Sequence, residues 1–185
     1  MKKLPFLFIT SLLFLTACAD SAAVSGPHSI GNSDAKVLVE VFSDPQCPAC
    51  GIVTPQAEAL ARENPDLMRL EYYHFPLSYH PYAFIAAEAA ECAGDQGKFF
   101  EYLDTLYANQ SSISEDYLYD VADSLKLNRT KFDACLENHE HKDKITSQMT
   151  EGRNRGLPGT PTFYVNGQET RWSGADTFKA YLESL

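Results

Sequence analysis

Two cysteines, Cys47 and Cys50, lie three positions apart in the stretch FSDPQCPAC. This C-x-x-C spacing is compatible with a redox-active pair, with half of a metal site or with a static structural disulfide. A zinc site needs about four ligands, and the sequence contains no second C-x-x-C and no clustered Cys/His pair. We therefore interpret the pair as redox-active and predict no metal, with a static disulfide as the alternative.

The rest of the chain predicts a mixed α/β domain around this pair. Residues 36–43 (KVLVEVFS) form a β-rich run with little polar alternation, which is typical of a buried central strand. Asn166-Gly167 is a strong hairpin signal near the C-terminus. We predict strands at 36–43, 68–75, 161–165 and 168–172, and helices at 52–62, 81–93, 97–108, 114–125, 130–138, 142–155 and 176–185. This order indicates an α/β thioredoxin-like fold with a helical insertion in the middle of the core.

Length and composition indicate an ordinary globular protein. The chain has 185 residues, which suits one domain with a substantial core, and 44% of them are hydrophobic, as in ordinary globular proteins. The formal net charge is −10 at pH 7. This acidity argues against nucleic acid as a partner.

The N-terminus has the pattern of an export signal. Lys2 and Lys3 precede an apolar run that is too short for a convincing membrane span, and the run ends in Leu-Thr-Ala-Cys at Cys18. This ending resembles the lipobox of bacterial lipoproteins, whose cysteine carries the lipid; an ordinary cleaved signal is the alternative. We predict a signal peptide at 1–17, a lipid-anchored flexible tether at 18–33 and one domain at 34–185.

Export changes the interpretation of the cysteines. The sequence has five, and lipidation of Cys18 leaves an even number in an oxidising compartment. If Cys47 pairs with Cys50, Cys92 and Cys135 remain for a structural disulfide within the helical region. Two separate buried thiols are the alternative.

Three segments together resemble the DsbA-like thioredoxin-domain family: FSDPQCPAC, FPLSYHPYAFIAAEAAECAGDQGKFFEYLDTLY and GLPGTPTFYVNG. The resemblance covers about residues 34–185. It implies that Cys47 is the attacking thiolate at a helix N-terminus, where the helix dipole stabilises a thiolate, and that Cys50 is the buried resolving thiol. It also implies a cis-proline loop, in which Pro161 keeps metals from the thiolates and the Thr160 backbone pairs with substrate. A trans proline that begins an edge strand is the alternative.

The sequence departs from the family pattern at two positions. Ala49 occupies the slot in which the strongest oxidants of the family carry a histidine, so we expect a less extreme redox potential. Val41 stands where many members have a buried acid that relays protons, and the neighbouring acid, Glu40, should point to the other face of the strand. Asp44 matches an acid that is frequent in the family's loop, but it could simply cap the turn.

Four histidines remain as candidates for a functional role. His139 and His141 are two positions apart and do not share a helix face. His74 and His80 flank the end of a predicted strand. We expect a structural or solvated role for all four histidines.

Taken with its resemblance, the sequence predicts a monomeric, lipid-anchored thiol–disulfide oxidoreductase of the bacterial cell envelope that needs no cofactor. It would donate disulfides to reduced exported proteins and be recycled by a membrane redox partner. A reductase or isomerase kept reduced by a membrane donor is one alternative. A non-enzymatic lipoprotein that binds peptides is the other.

Overall fold

The computed structural model describes residues 26–185, so the predicted signal peptide and the lipidation of Cys18 lie outside the described residues. The described chain forms a five-stranded sheet in the order β1-β3-β2-β4-β5. The strands are β1 (His28–Ile30), β2 (Val37–Ser43), β3 (Met68–His74), β4 (Thr162–Val165) and β5 (Gln168–Thr170). β2 and β3 are parallel, and every other neighbouring pair is antiparallel.

β2 occupies the centre of the sheet, and six of its seven residues are buried. Val39 and Val41 are fully buried, and Val39 lies between Leu70 of β3 and Val165 of β4 in the register. A strand covered on both faces reads as a continuous apolar run rather than an alternating one. The thioredoxin-like fold predicted from the sequence is confirmed.

Seven α-helices complete the described chain. They are α1 (Pro48–Glu63), α2 (Ala83–Gly94), α3 (Phe99–Ala108), α4 (Glu115–Ser124), α5 (Arg129–Glu137), α6 (Lys142–Asn154) and α7 (Ala175–Glu183). α1 packs against β3 and α7, whereas α2 packs against α3, α4, α5 and α6. Helices α2 to α6 therefore form the predicted insertion between β3 and β4. In the part of the chain that the structure describes, no helix has both the length and the apolar character needed to cross a membrane.

The predicted tether at 18–33 is wrong for its last part. His28–Ile30 forms β1, which pairs antiparallel with β3. The chain then turns at Gly31, whose φ is +98°, and a Cβ there would overlap the carbonyl oxygen of Met68. Only glycine fits both the positive φ and the close approach. Residues His28–Ile30 are therefore an edge strand of the sheet.

The insertion is held by a covalent link and by helix caps. A disulfide joins Cys92 of α2 to Cys135 of α5, with the Cα atoms 5.9 Å apart. This is the pairing expected from the cysteine count. The Ser114 hydroxyl accepts a hydrogen bond from the Tyr117 amide and caps α4.

Candidate active site

Cys47 and Cys50 lie where β2 passes into α1. Cys47 is the N-cap residue of α1 and Pro48 is in its first turn. Cys50 lies one turn further on and is fully buried, whereas Pro48 and Ala49 are exposed. The two sulfurs are not bonded to each other, so the structure shows the dithiol form. Cys47 is therefore nearer to solvent and Cys50 lies beneath it.

The two thiols differ strongly in acidity. A hydrogen bond from the Cys50 thiol is the largest of the effects that lower the pKa of Cys47 to about 5, against the opposing effect of burial. Further hydrogen bonds from Thr160 and from the Cys50 and Ala49 amides act in the same direction. Burial raises the pKa of Cys50 above the usual range of a thiol. At neutral pH, the site therefore holds a thiolate on Cys47 and a neutral thiol on Cys50.

The loop before β4 faces this thiolate. The Thr160–Pro161 peptide bond is cis. In the thiol form, Cys47 Sγ donates to the Thr160 carbonyl oxygen at 3.3 Å. The Thr160 side chain is one of the groups that lower the pKa of Cys47, and its buried hydroxyl has no other hydrogen-bond partner within residues 26–185.

Behind Cys50 lies a group of four buried hydroxyls, which we call the hydroxyl cluster: Ser43, Thr54, Tyr72 and Tyr107. Ser43 Oγ lies 3.0 Å from Thr54 Oγ1 and 2.8 Å from Tyr107 Oη, and Tyr107 Oη lies 2.9 Å from Tyr72 Oη. The Ser43 hydroxyl also acts on Cys50 and lowers the pKa of that thiol, against the larger effect of burial. A neutral polar cluster thus contacts the resolving thiol.

The turn that carries Cys47 is fixed from below by Asp44. Its carboxylate accepts hydrogen bonds from the amides of Gln46 at 2.7 Å and Leu77 at 2.8 Å, and lies 2.7 Å from His80 Nδ1. The Gln46 side chain in turn accepts from the Tyr82 amide at 2.6 Å. Asp44 therefore caps the turn and ties it to the segment leading into α2.

Gln110, in a single-turn 3₁₀ helix after α3, holds the same turn from the other side. Its amide nitrogen donates to the carbonyl oxygens of Pro45 at 2.9 Å and Cys47 at 2.8 Å. A Cβ on Gly51 would lie 2.6 Å from the Gln110 side-chain oxygen. The absence of a side chain at Gly51 is thus what allows Gln110 to reach the turn.

Glu40 takes no part in this site. Its carboxylate forms two hydrogen bonds with the Arg155 guanidinium, at 2.9 and 3.0 Å, and that guanidinium stacks over the rings of Phe42 and Tyr164. Val41, the next residue on β2, is fully buried. Consecutive strand residues point to opposite faces, so no bulge returns Glu40 to the position of the family's relay acid.

The histidines of the described chain all lie beside carboxylates. The pairs are His28–Glu91, His74–Glu91, His80–Asp44, His139–Glu88 and His141–Asp95. These contacts fit the structural role expected from the sequence, and they add His28, which the tether prediction had obscured. Cys92, Cys135 and His141 lie close enough to share a metal ion, but the two sulfurs are bonded to each other.

A cavity of about 450 Å³ opens between α1 and α3, with Glu58, Arg62, Asp104 and Tyr107 among its lining residues. The Glu58 side chain is only 2% exposed, and one of its oxygens accepts from Arg62 at 3.2 Å. The other oxygen has no hydrogen-bond partner in the described chain. Burial, followed by repulsion from Asp104, raises the pKa of Glu58 to about 8.

Sequence reasoning missed the residues that surround the two cysteines. Thr54 could have been found, because a residue four positions after Cys50 lies on the same face of a helix. Tyr107 and Gln110 are contributed by the insertion, more than 50 positions along the chain, and no local pattern marks them.

Comparison with known proteins supports the fold. The solved structures that it resembles include a thioredoxin-like oxidoreductase from Silicibacter pomeroyi, with 23% identity and a TM-score of 0.73 over 87% of this chain and 92% of that one. They also include the thiol-disulfide exchange protein alpha-DsbA2 from Wolbachia pipientis, with 16% identity and a TM-score of 0.76 over 87% of each chain. BdbD from Bacillus subtilis has 21% identity and a TM-score of 0.71 over 86% of this chain and 92% of that one. At these identities the likeness establishes the fold alone.

Among curated proteins, the chain resembles a segment of much longer relatives. The Na(+)/H(+) antiporter NhaA 1 of Salinispora arenicola is 37% identical over 142 residues, which are 76% of this chain and 22% of that protein. The NhaA 1 protein of a Mycobacterium species is 32% identical over 83% of this chain and 26% of that protein. The chain therefore spans about a quarter of the length of these relatives.

The family model described as Thioredoxin matches residues 23–184, which is well over half of the chain. The matched range contains the Cys47–Cys50 pair, the cis-proline loop and the helical insertion between them. The protein therefore belongs to the thioredoxin family, and its fold is that of the DsbA-like thiol–disulfide oxidoreductases.

Proposed function

We propose that this protein is a thiol–disulfide oxidoreductase whose redox pair is Cys47 and Cys50. One observation supports this proposal above the others: a thiolate on Cys47 is stabilised at the N-terminus of α1 directly above a buried thiol on Cys50. A static structural disulfide does not require this asymmetry. An exchange catalyst does, because one sulfur must meet substrate and the other must resolve the intermediate.

In the oxidised protein, a substrate thiolate attacks Cys47 Sγ. The Cys47–Cys50 bond breaks, its electron pair leaves with Cys50 Sγ, and a mixed disulfide forms between Cys47 and the substrate. A second substrate thiolate then attacks the substrate sulfur of that mixed disulfide, and Cys47 leaves as a thiolate. The substrate dithiol is oxidised to a disulfide and the protein is reduced by two electrons.

The low pKa of Cys47 favours this direction. A leaving thiolate is expelled faster when its pKa is lower, and the pKa of Cys47 is lowered to about 5. Ile52 lies two residues after Cys50, and Tyr79 precedes His80, which contacts Asp44. Their side chains are 65% and 74% exposed and suit contact with an unfolded chain. The proposed substrates are reduced exported proteins. The protein would be a monomer anchored through Cys18 to the extracytoplasmic face of a membrane. A membrane redox partner would reoxidise Cys47 and Cys50.

The reduction potential of the soluble domain, measured by titration against glutathione, tests the proposal. A reversible two-electron transition between about −120 and −180 mV supports disulfide donation, whereas a value near about −270 mV indicates a reductase. Replacement of Cys47 by serine should abolish the transition, and replacement of both Cys92 and Cys135 should leave it. Absence of any reversible transition in the wild type would leave a peptide-binding role as the better explanation.

A further inference from the structure

The proposed reaction requires charge to appear on a buried sulfur. When substrate attacks Cys47, Cys50 leaves as a thiolate, and when Cys50 resolves a mixed disulfide it must first become one. Cys50 is fully buried. Burial of an unpaired charge is costly, so some neighbouring group has to stabilise the sulfur while it is ionised.

The described chain places no carboxylate and no basic side chain in hydrogen-bond contact with Cys50. Besides burial, the groups that change the pKa of Cys50 are the Ser43 hydroxyl, the Asp44 amide and Cys47. Ser43 ends β2 and is itself fully buried, and Thr54, which hydrogen-bonds to Ser43, lies one helical turn after Cys50. Ser43 is thus the side chain placed to respond when the charge of Cys50 changes.

The hydrogen-bonding capacity of Ser43 matches this task. A hydroxyl has one proton to donate and two lone pairs that accept. Ser43 hydrogen-bonds to Thr54 and Tyr107, and its third hydrogen-bonding position can serve Cys50. If Ser43 donates to Cys50, it can accept from both Thr54 and Tyr107, and every partner is satisfied.

The second tyrosine completes the chain of donors. Tyr107 uses its proton toward Ser43 in this arrangement, and it accepts in turn from Tyr72 at 2.9 Å. Tyr72 and Tyr107 are 1% and 6% exposed, and burial raises the pKa of both above the usual range of tyrosine. Both phenols therefore keep their protons and remain donors when Cys50 is ionised.

We infer that Ser43 is a catalytic residue that donates a hydrogen bond to the Cys50 thiolate, and that Tyr107, Tyr72 and Thr54 are positioning residues that hold Ser43 in its donating orientation. This inference rests on the proposed function. When Cys50 regains its proton, its S–H can donate to Ser43, and Ser43 then donates to Thr54 or Tyr107. The cluster changes direction with the charge of the sulfur and takes no net proton.

The rate at which Cys50 resolves a mixed disulfide on Cys47 tests the role of Ser43. The reduced protein is mixed in stopped flow with one equivalent of the aromatic disulfide DTNB. The Cys47 thiolate attacks it, forms a mixed disulfide and releases a first thionitrobenzoate. The Cys50 thiolate then attacks Cys47 Sγ, forms the Cys47–Cys50 disulfide and releases a second one. The rate of this second release is the quantity to compare.

Ser43→Ala should slow the second release by about ten-fold or more, which is the effect expected from the loss of a hydrogen bond to a charged group. Tyr107→Phe should slow it by about three-fold or more, because it removes one hydroxyl and keeps the ring. The double variant should be no slower than Ser43→Ala, since Tyr107 acts through Ser43. The first release should keep its rate in both variants.

Tyr102→Phe is the matched control. Tyr102 is also a buried tyrosine of α3, but its hydroxyl donates to the Leu118 carbonyl within the insertion. Equal slowing by Tyr102→Phe and Tyr107→Phe, or a wild-type rate of second release in Ser43→Ala, would overturn the inference while leaving the redox function intact. A wild type that never releases the second thionitrobenzoate would instead contradict the proposed function itself.

Discussion

Replacement of Glu58 by glutamine should change how the stability of the protein depends on pH. Glu58 is buried beside a cavity, with one oxygen hydrogen-bonded to Arg62 and the other unpaired among the described residues. Its pKa is raised from 4.5 to about 8. Glutamine has nearly the same shape and cannot ionise, so the substitution removes the titration with little change in packing.

The sign and size of the effect follow from proton linkage. Between pH 4.5 and about 8, the folded state holds a proton on Glu58 that the unfolded state has lost, so stability falls as pH rises through this window. Each pH unit inside the window contributes at most about 1.4 kcal/mol. From about pH 5 to about pH 8, Glu58 should therefore reduce the free energy of unfolding by about 3 kcal/mol.

Urea denaturation of the oxidised protein at several pH values measures this quantity, because the titration of Cys47 is absent when its sulfur is in a disulfide. The difference in unfolding free energy between Glu58→Gln and wild type should grow by about 3 kcal/mol toward the upper end of the window. Glu63→Gln, an exposed position on the same helix, should give a constant difference. Parallel pH profiles for wild type and Glu58→Gln would refute the reasoning and show that Arg62 keeps the carboxylate ionised.

Three further outcomes are expected. Cys50→Ala should raise the pH midpoint of Cys47 alkylation above about 5, because the Cys50 thiol is the largest cause of the low pKa of Cys47; an unchanged midpoint would assign that effect to the helix N-terminus alone. Replacement of Cys92 and Cys135 by alanine should lower the free energy of unfolding by about 4 kcal/mol, as the chain-entropy model gives for a bridge of separation 43; equal denaturation midpoints with and without the bridge would contradict this. Glu91→Gln should cost about 3 kcal/mol at neutral pH, since it leaves His28, His74 and the largely buried ammonium of Lys144 without their shared carboxylate; a loss below about 1 kcal/mol would show that water replaces it.

The features that sequence alone predicted are those encoded by neighbouring residues. Fewer than ten consecutive residues are enough to identify the apolar run of β2, the Asn166-Gly167 turn or the Cys47–Cys50 spacing. The expected strand at 68–75 and helix at 142–155 differ from the observed bounds by one residue, at the C-terminal end. Such elements follow from local periodicity and turn chemistry.

The features that sequence missed depend on contacts between distant parts of the chain. β1 has only three residues and exists because it pairs with β3, about 40 positions later. Three residues, of which only Ile30 is apolar, are too few to give a periodic signal of this pairing. The Ser43–Tyr107 hydrogen bond joins residues 64 positions apart. The sequence does not distinguish Tyr107 from an ordinary aromatic residue of the core.

The displaced acid on β2 shows how one position can change the chemistry of a site. With the carboxylate at Glu40, the charge lies on the face of the strand where Arg155 neutralises it through two hydrogen bonds. The position of the family's relay acid is held by the apolar, fully buried Val41. A single step along a strand moves a side chain to the other face, and the region beneath the cysteines is thereby left without an acid from this strand.

The polar groups behind Cys50 are the neutral hydroxyls of the hydroxyl cluster. Two of the groups that surround the site come from the insertion. Tyr107 of α3 completes the hydroxyl cluster behind Cys50, and Gln110 binds the carbonyl of Cys47. A hydroxyl costs far less to bury than a carboxylate when its hydrogen bonds are satisfied, and it can turn its proton toward or away from a sulfur. The insertion is therefore part of the proposed catalytic apparatus, because α3 supplies Tyr107, which holds Ser43 in its donating orientation toward Cys50.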